Sequence, residues 1–581
     1  DYTSEVTTNY QPFGYNVDKI IGDNVLGQKG IYQWNDREVT VDLKGNWQRD
    51  FGKSFNSQFL AGVQGFISRQ KFPGSNGYDF PGPGVAVTNA TGTQYANDGV
   101  TETVNGGYFV QEQIGYKNYL FVTGGARYDY SSAFGKSAAG VVYPKVSVSF
   151  VPTDFKGGAI GPISSWRVRA AWGQSGRQPS AFAKFTTFAA AGGPAGPGLG
   201  PDNLGNPDLK PEVATEIEAG TELGFFNDRL GFEVTWWDRK VKDLLYNVQY
   251  PPSGGFTNAQ LTNIGQLDAN GLEIGVKGFV VQTPGLSVDL FANIAFLDQT
   301  VASLGGAPNI KVSANYARIR NFIREGFAPG QIFGAKVKSV PSGSYPYDAG
   351  LITGGVANGQ AATEAQMLAY LSRSRSYTNL FNGSIILLEN GLESNLGKPT
   401  PDYTGSFGAA VTLRRNFRIN TLFEYKGGNY TYWCLICGFR NASPRGNNSE
   451  AAARVQSTLE NPASTAQQRL AAAKEWVYDL ASLTPYQGLN EVSDGSFVRM
   501  RELSLTYTAP RGLADRLKAR EMAISLTARN LFLWTKYQGV DPEVTNFGRA
   551  GGGIDNNFQD SVDAFGLPVP RRIGLSVRLG F

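Results

Sequence analysis

The stretch LSVDLFANIAF, Leu286 to Phe296, decides the fold. Leu286, Val288, Leu290, Ala292, Ile294 and Phe296 fall on one parity, and Ser287, Asp289 and Asn293 fall on the other. An extended chain points successive side chains to opposite faces, so this stretch has an apolar face and a polar one. The same alternation recurs along the chain. Ile573, Leu575, Val577, Leu579 and Phe581 alternate with Arg572, Gly574, Ser576 and Arg578. Leu230, Phe232, Val234 and Trp236 do so with Arg229, Glu233 and Thr235; Trp166, Val168, Ala170 and Trp172 with Arg167 and Arg169. Val39, Val41, Leu43 and Trp47 alternate with Thr40, Asp42, Lys44 and Asn46.

About sixteen such segments are expected, near 1–13, 30–50, 54–73, 105–116, 118–131, 139–153, 163–177, 211–226, 229–248, 261–281, 284–302, 403–415, 417–428, 496–509, 521–533 and 569–581. Soluble β-sandwiches alternate in the same way, but their strands run to about five or six residues. Many segments here exceed the roughly ten residues that cross a bilayer at a tilt. Connections also alternate in length. Short ones fall at 50–53, 116–118, 226–229, 282–285 and 415–416, and long ones at 74–104, 178–210, 303–402, 429–495 and 534–568. Two shorter ones, 132–138 and 249–260, share the long-loop side by parity. Short turns at one rim and long loops at the other define the outer-membrane barrel pattern. The expected fold is therefore all-β, a transmembrane antiparallel barrel with its apolar face on lipid and its polar face on a wet lumen.

Composition agrees. Of 581 residues, 72 are glycine, about 12% against roughly 7% in average proteins. Only 18% are charged and 12% are aromatic, which fits many turned, half-buried strands better than about four soluble domains. No histidine is present, which removes His-based acid–base chemistry, Ser-His and Cys-His nucleophile pairs and imidazole metal sites. No enzyme is expected, and no cofactor or metal. A net charge of +4 is too mild to suggest nucleic acid. No apolar run of about 18 residues marks a transmembrane helix. Asp1-Tyr2-Thr3-Ser4-Glu5 lacks the pattern of a signal peptide, so a mature or truncated piece is expected.

Several local motifs lead nowhere. Gly52-Lys53-Ser54 and Gly135-Lys136-Ser137 resemble the tail of a phosphate loop, but Trp47 and Tyr130 stand where its first glycine belongs. Cys434-Leu435-Ile436-Cys437 lies in a long loop, where a local disulfide is the favoured reading. A redox site would need a βαβ context, and a metal site would need more ligands. The stretch 448–476, with Ala451–Ala453, Ala471–Ala473 and a break at Pro462, reads as two short helices capped near Asn448-Ser449. The 429–495 connection is expected to be a long extracellular loop holding these helices.

Five motifs in order resemble the SusC/RagA family of TonB-linked outer-membrane transporters. They are Ile163 to Gly176, Asn206 to Glu212 with Glu216, Glu218 and Gly220, Asn263 to Glu273, Phe497 to Thr508, and Asn530-Leu531-Phe532 with Tyr537, Gly539 and Asp541-Pro542-Glu543. The closing strand through Phe581 is also similar to the terminal signal of bacterial outer-membrane barrels. The resemblance implies a barrel of about 22 strands, of which these residues would supply about sixteen, with the plug and signal peptide lying outside this chain. A self-closed, plugless pore is the rival account. The family implies import of an oligosaccharide or peptide, driven by TonB through that plug, with a SusD-like surface lipoprotein as partner. A passive porin and a surface scaffold or adhesion protein remain open alternatives. Capture by aromatic stacking would draw on Tyr78, Phe80, Tyr250, Tyr345, Tyr347, Tyr430, Tyr432 and Trp433, each of which also suits loop packing or an interface belt.

Overall fold

The computed structural model describes residues 1–14, 26–136, 140–193, 196–312, 319–373, 385–434, 437, 449–481, 488–544, 561–563 and 566–581. Strands of nine residues or more carry the architecture. They are β1 (Tyr2–Gln11), β2 (Gln28–Phe51), β3 (Phe55–Lys71), β4 (Val100–Tyr116), β5 (Leu120–Ser131), β6 (Val141–Phe150), β7 (Ile163–Arg177) and β8 (Glu212–Phe225). They continue with β9 (Leu230–Lys242), β10 (Gln266–Gln282), β11 (Leu286–Ser303), β12 (Tyr403–Leu413), β13 (Phe417–Gly427), β14 (Phe497–Thr508), β15 (Glu521–Arg529) and β16 (Arg572–Gly580). Each coincides with one expected segment, with ends shifted by a few residues.

The chain divides into two compact units: 1–150 with 170–216 and 241–264, and 151–169 with 217–240 and 265–581. In the first, β1 to β6 pair antiparallel in sequence order. In the second, β10 to β16 do the same. Hairpins close through tight turns, and Gly52, Asn227, Asp228, Arg414 and Arg415 take the left-handed φ that such turns demand. Two connections on the short-turn side are longer and carry a helical turn each, Pro152–Lys156 and Arg511–Arg516.

The alternation becomes two faces. Val41, Leu43 and Trp47 of β2 are exposed on one face, in register with Gly65, Val63 and Phe59 of β3. Asp42, Lys44 and Asn46 occupy the other. On β11, Leu290 and Phe296 are exposed on the outward face.

The 74–104 connection, read from sequence as a loop, contains two further strands, Gly74–Tyr78 and Thr93–Asn97. The reason is the length of β2. Its 24 residues span about 80 Å, against roughly 30 Å of hydrocarbon. The surplus end, Gln28–Tyr32, needs a partner and finds it in Gly74–Tyr78. Pro73 interrupts β3 without ending the ladder, because its carbonyl accepts from Gln33 N–H at 2.9 Å. The expected 229–248 strand also divides: Asp243 turns at φ 55°, and Leu245–Val248 pairs instead with Gln260–Asn263.

Two long connections of the second unit build a helical module. It contains α1 (Glu364–Arg373), α2 (Glu450–Glu460) and α3 (Ala466–Glu475), followed by a π-helical turn at Trp476–Leu480. Met367, Leu371, Val455, Leu459, Leu470 and Trp476 join Tyr347 in one buried core. Ser449 caps α2 by accepting from Ala452 N–H, and Thr465 with Gln468 forms a capping box on α3. Asn448, the other expected cap, lies outside the described residues.

Asp348 organises the entrance to this module. Burial alone would raise its pKa, but backbone N–H groups of Leu351, Gly359, Asn358 and Gly350 hold the carboxyl below its usual range. A depressed folded pKa adds stability above the unfolded value, and that stability is lost as pH falls through the folded one. Amide protection of residues 349–363 is therefore expected to drop as pH is lowered below about 4, and Asp348→Asn should flatten the dependence.

The outward face yields a second expectation. Leu43→Arg should lower the stability of the full-length protein in lipid vesicles by about 2–4 kcal/mol. Lys44→Ala, on the polar face, should stay within about 0.5 kcal/mol. Urea unfolding in vesicles distinguishes the two.

Candidate functional site

Period two places Arg167 and Arg169 of β7, Glu218 and Glu222 of β8 and Glu233 of β9 on the polar face. In the second unit, Trp166 and Val168 point the opposite way to Arg167 and Arg169. Arg169 pairs with Glu218 of β8, and its guanidinium also lies 3.1 Å from Glu233 and 2.8 Å from the Thr235 hydroxyl of β9. Arg167 pairs with Glu222. A cavity of about 540 Å³ opens beside them, with Arg167, Glu222, Asp228, Glu233, Lys277 and Asn293 in its lining. In the first unit the Arg127 guanidinium pairs with Asp129 at 2.5 Å and donates to Gln64 at 2.6 Å. It also sits 5.9 Å from the Phe109 ring centroid. In each unit the polar face thus carries ordered ion pairs and amides, suited to contact with water.

A second ionic cluster ties the rim on the long-loop side. Arg499 and Arg501 emerge from β14, while Asp541 and Glu543 come from the connection after β15. Arg499 donates to Asp541 at 2.5 Å, and both side chains are 3% exposed. Arg499 Nε also lies 2.6 Å from Glu543, close as charges though not aligned as a hydrogen bond. Arg501 bridges Glu543 to Glu424 of β13. The second Asp541 oxygen accepts from Val569 N–H at 3.2 Å, which fixes the approach to β16. Two motifs separated by 42 residues are the two halves of one buried cluster.

In the second unit the aromatic candidates fall in separate places, Tyr345 and Tyr347 at the helical module and Tyr430 and Tyr432 beside the disulfide. Phe80, Tyr347, Tyr432 and Trp433 are buried in loop packing. Tyr347 donates to Ala473 C=O at 2.7 Å within the helical module, and Tyr345 packs against that core. Tyr432 donates to Val544 C=O. Beside it Cys434 and Cys437 are joined by a disulfide, in a cluster with Tyr430 and Tyr537. In the first unit Phe80 meets Tyr10 edge-on at 6.0 Å and Tyr78 meets Tyr95 at 5.9 Å, while Tyr250 is 43% exposed.

Tyr430 does reach a cavity. It lines a space of about 910 Å³ together with Tyr403, Tyr425, Phe497 and Trp534 and with Lys426 and Asp494. Three of these rings belong to a continuous outward series. It runs Phe296, Tyr403, Tyr425, Phe407, Phe423, Trp534, Phe532, with neighbouring centroids 4.9 to 6.4 Å apart. Sequence reading took Phe296, Tyr403, Tyr425, Phe407, Phe423 and Phe532 as strand positions and placed Trp534 in the 534–568 connection. Equal parity on adjacent strands, counted from the long-loop end, is the signal that would have found them.

Long antiparallel ladders in each unit, with one apolar and one polar face and with long loops opposite short turns, define a β-barrel protein of the outer membrane. Residues 1–531 match the family described as TonB dependent receptor-like, beta-barrel, and the chain belongs to it. It is 24% identical over 544 residues to TonB-dependent receptor P3 of Formosa agariphila, covering 89% of this chain and 50% of that protein. It is 23% identical over 474 residues to TonB-dependent receptor SusC of Bacteroides thetaiotaomicron, covering 78% and 42%. Among solved structures, the RagAB peptide importer in its closed-closed state aligns with a TM-score of 0.75 at 20% identity, over 100% of this chain and 59% of that one. The chain spans about half the length of the curated relatives it matches. It is an outer-membrane protein, and its family is one of receptors and transporters.

Removing one partner of a buried, hydrogen-bonded ion pair leaves the other charge desolvated, at a cost of about 3–5 kcal/mol. Arg499→Ala is expected to destabilise the full-length protein by that amount and to open residues 537–544 to protease. Asp541→Asn on top of it should cost little more, since both changes break the same pair. Thermal unfolding and limited proteolysis of the wild type, the two single variants and the double variant check this.

Proposed function

We propose that the whole protein imports a large nutrient, an oligosaccharide or a peptide, across the outer membrane. TonB would supply energy from the inner-membrane proton gradient by acting on a plug that is not among these 581 residues. A SusD-like lipoprotein would close the outer mouth. The observation that carries this reading is the family match over residues 1–531. The relative named SusC and the fold shared with the RagAB peptide importer support it. The polar face adds a physical reason, because paired charges such as Arg169 with Glu218 give a wet wall without strong net attraction for a passing solute. Solute contact at the outer mouth would fall to accessible aromatics such as Tyr250, with the half-buried Tyr78 beside Tyr95.

The test is uptake of labelled oligosaccharide and peptide mixtures by cells with and without functional TonB. Uptake by the intact cell and its loss on TonB deletion are expected. Uptake that persists unchanged would overturn the proposal in favour of passive diffusion.

A further inference from the structure

The 178–210 connection carries a short hairpin. Phe188–Gly193 pairs antiparallel with Gly196–Pro201, and the two form a sheet of their own. Its register determines which backbone groups are used. Asp202 N–H donates to Thr187 C=O at 3.0 Å, and Thr187 N–H donates to Asn203 C=O at 2.8 Å. Position 187 is therefore a hydrogen-bonded position, and 189, 191 and 193 follow it at period two. Phe188, Ala190 and Gly192 then turn their N–H and C=O groups away from the partner strand. The prolines agree with this phase. Pro197 and Pro201 stand opposite Gly192 and Phe188, where no inward N–H is needed.

The two edges of the hairpin consequently differ. On the Gly196–Pro201 side the outward N–H groups at 197 and 201 are missing, so that edge cannot extend a ladder. On the Phe188–Gly193 side three donors and three acceptors are presented in strand register. Among the described residues, none of them has a backbone partner. Natural sheets guard such an edge with charge, proline or cover. Here no charged residue occurs between Lys184 and Asp202. Phe188 is 56% exposed and Leu199 is 76% exposed. One edge is guarded and the other is open.

We infer that the Phe188–Gly193 edge captures an extended, uncharged peptide by strand addition. This rests on the import reading and selects peptide over oligosaccharide within it. The edge repeats a donor and an acceptor about every 7 Å, two residues of extended chain. Another peptide backbone has the same repeat, whereas a glycan offers hydroxyls in no such register. Ala189 and Ala190 are small and exposed, so recognition is of the main chain and tolerates sequence. The uncharged surroundings favour a solute of low charge. Phe188 meets Phe256 at 6.2 Å, and Asn258 donates to Asp202 at 2.8 Å, so the hairpin is held against the 249–260 connection that bears Tyr250.

The test uses the full-length protein in detergent and three probes. They are a capped octapeptide of serine, threonine and valine, the same peptide N-methylated at alternate residues, and a neutral oligosaccharide of similar mass. Calorimetry should show the plain peptide binding and the N-methylated one weakened about tenfold or more, as expected when several backbone hydrogen bonds are lost. Ala190→Pro, on the open edge, should weaken the plain peptide to the same degree. Leu199→Pro, on the guarded edge, should leave it unchanged. Equal binding of both peptides, equal binding by both variants, or competition by the oligosaccharide would overturn the inference. So would a dimer that Ala190→Pro dissolves, because the edge would then serve a second copy. Peptide capture without TonB-dependent uptake would instead strike the import proposal alone.

Discussion

A peptide group in hydrocarbon has no water to bond, and leaving it unpaired costs several kcal/mol. Everything else in this protein follows from that constraint. It requires ladders long enough to pair every residue that crosses the membrane. The register of β2 with β3 runs without a slip from Phe51 opposite Phe55 to Asn35 opposite Lys71. Pairing continues past the bilayer where β2 outruns it, so the outer ends of these strands form further small strands. A loop hairpin freed from the constraint, as at 188–201, can afford an unpaired edge because water reaches it.

Once the ladder fixes the backbone, the two faces sort the side chains. Rings of equal parity on β11, β12 and β13 become neighbours on the outer face, and the parallel Phe407 and Phe423 rings, 5° apart in plane, are the closest pair of that series. Charges of equal parity become neighbours on the inner face, where they neutralise one another. The motifs that mark the family have a physical role in this scheme. Arg169 and Glu218 lie in two motifs 49 residues apart, and each is the other's counter-ion. Arg499 and Asp541 form a second such pair. It is more deeply buried, so it contributes to the order of the rim beyond its role in charge balance.

Much of this was legible from the chain. The strands β1 to β16 were, because alternation is local and each residue carries its own vote. The cap at Ser449 was legible for the same reason, while the Thr465–Gln468 capping box came only with the structure. The short strands at 74–78 and 93–97 were not, since Gly74, Ser75 and Gly77 carry no apolar alternation and pair only because β2 extends beside them. Nor were the fates of the aromatic residues. Tyr347 and Trp433 look like Tyr250 in sequence, yet the first two are core and the third is surface.

The sequence by itself determined which face of each strand is apolar, where the turns fall and how many long strands there are. It did so because those properties are set by residues one or two positions apart. Tertiary structure alone decided which charges meet, which aromatics are buried and which hairpin edge stays open. Those outcomes depend on partners tens to hundreds of residues away, such as Ala473 for the Tyr347 hydroxyl at a separation of 126. No local pattern encodes that distance, because the shape of the folded chain sets it.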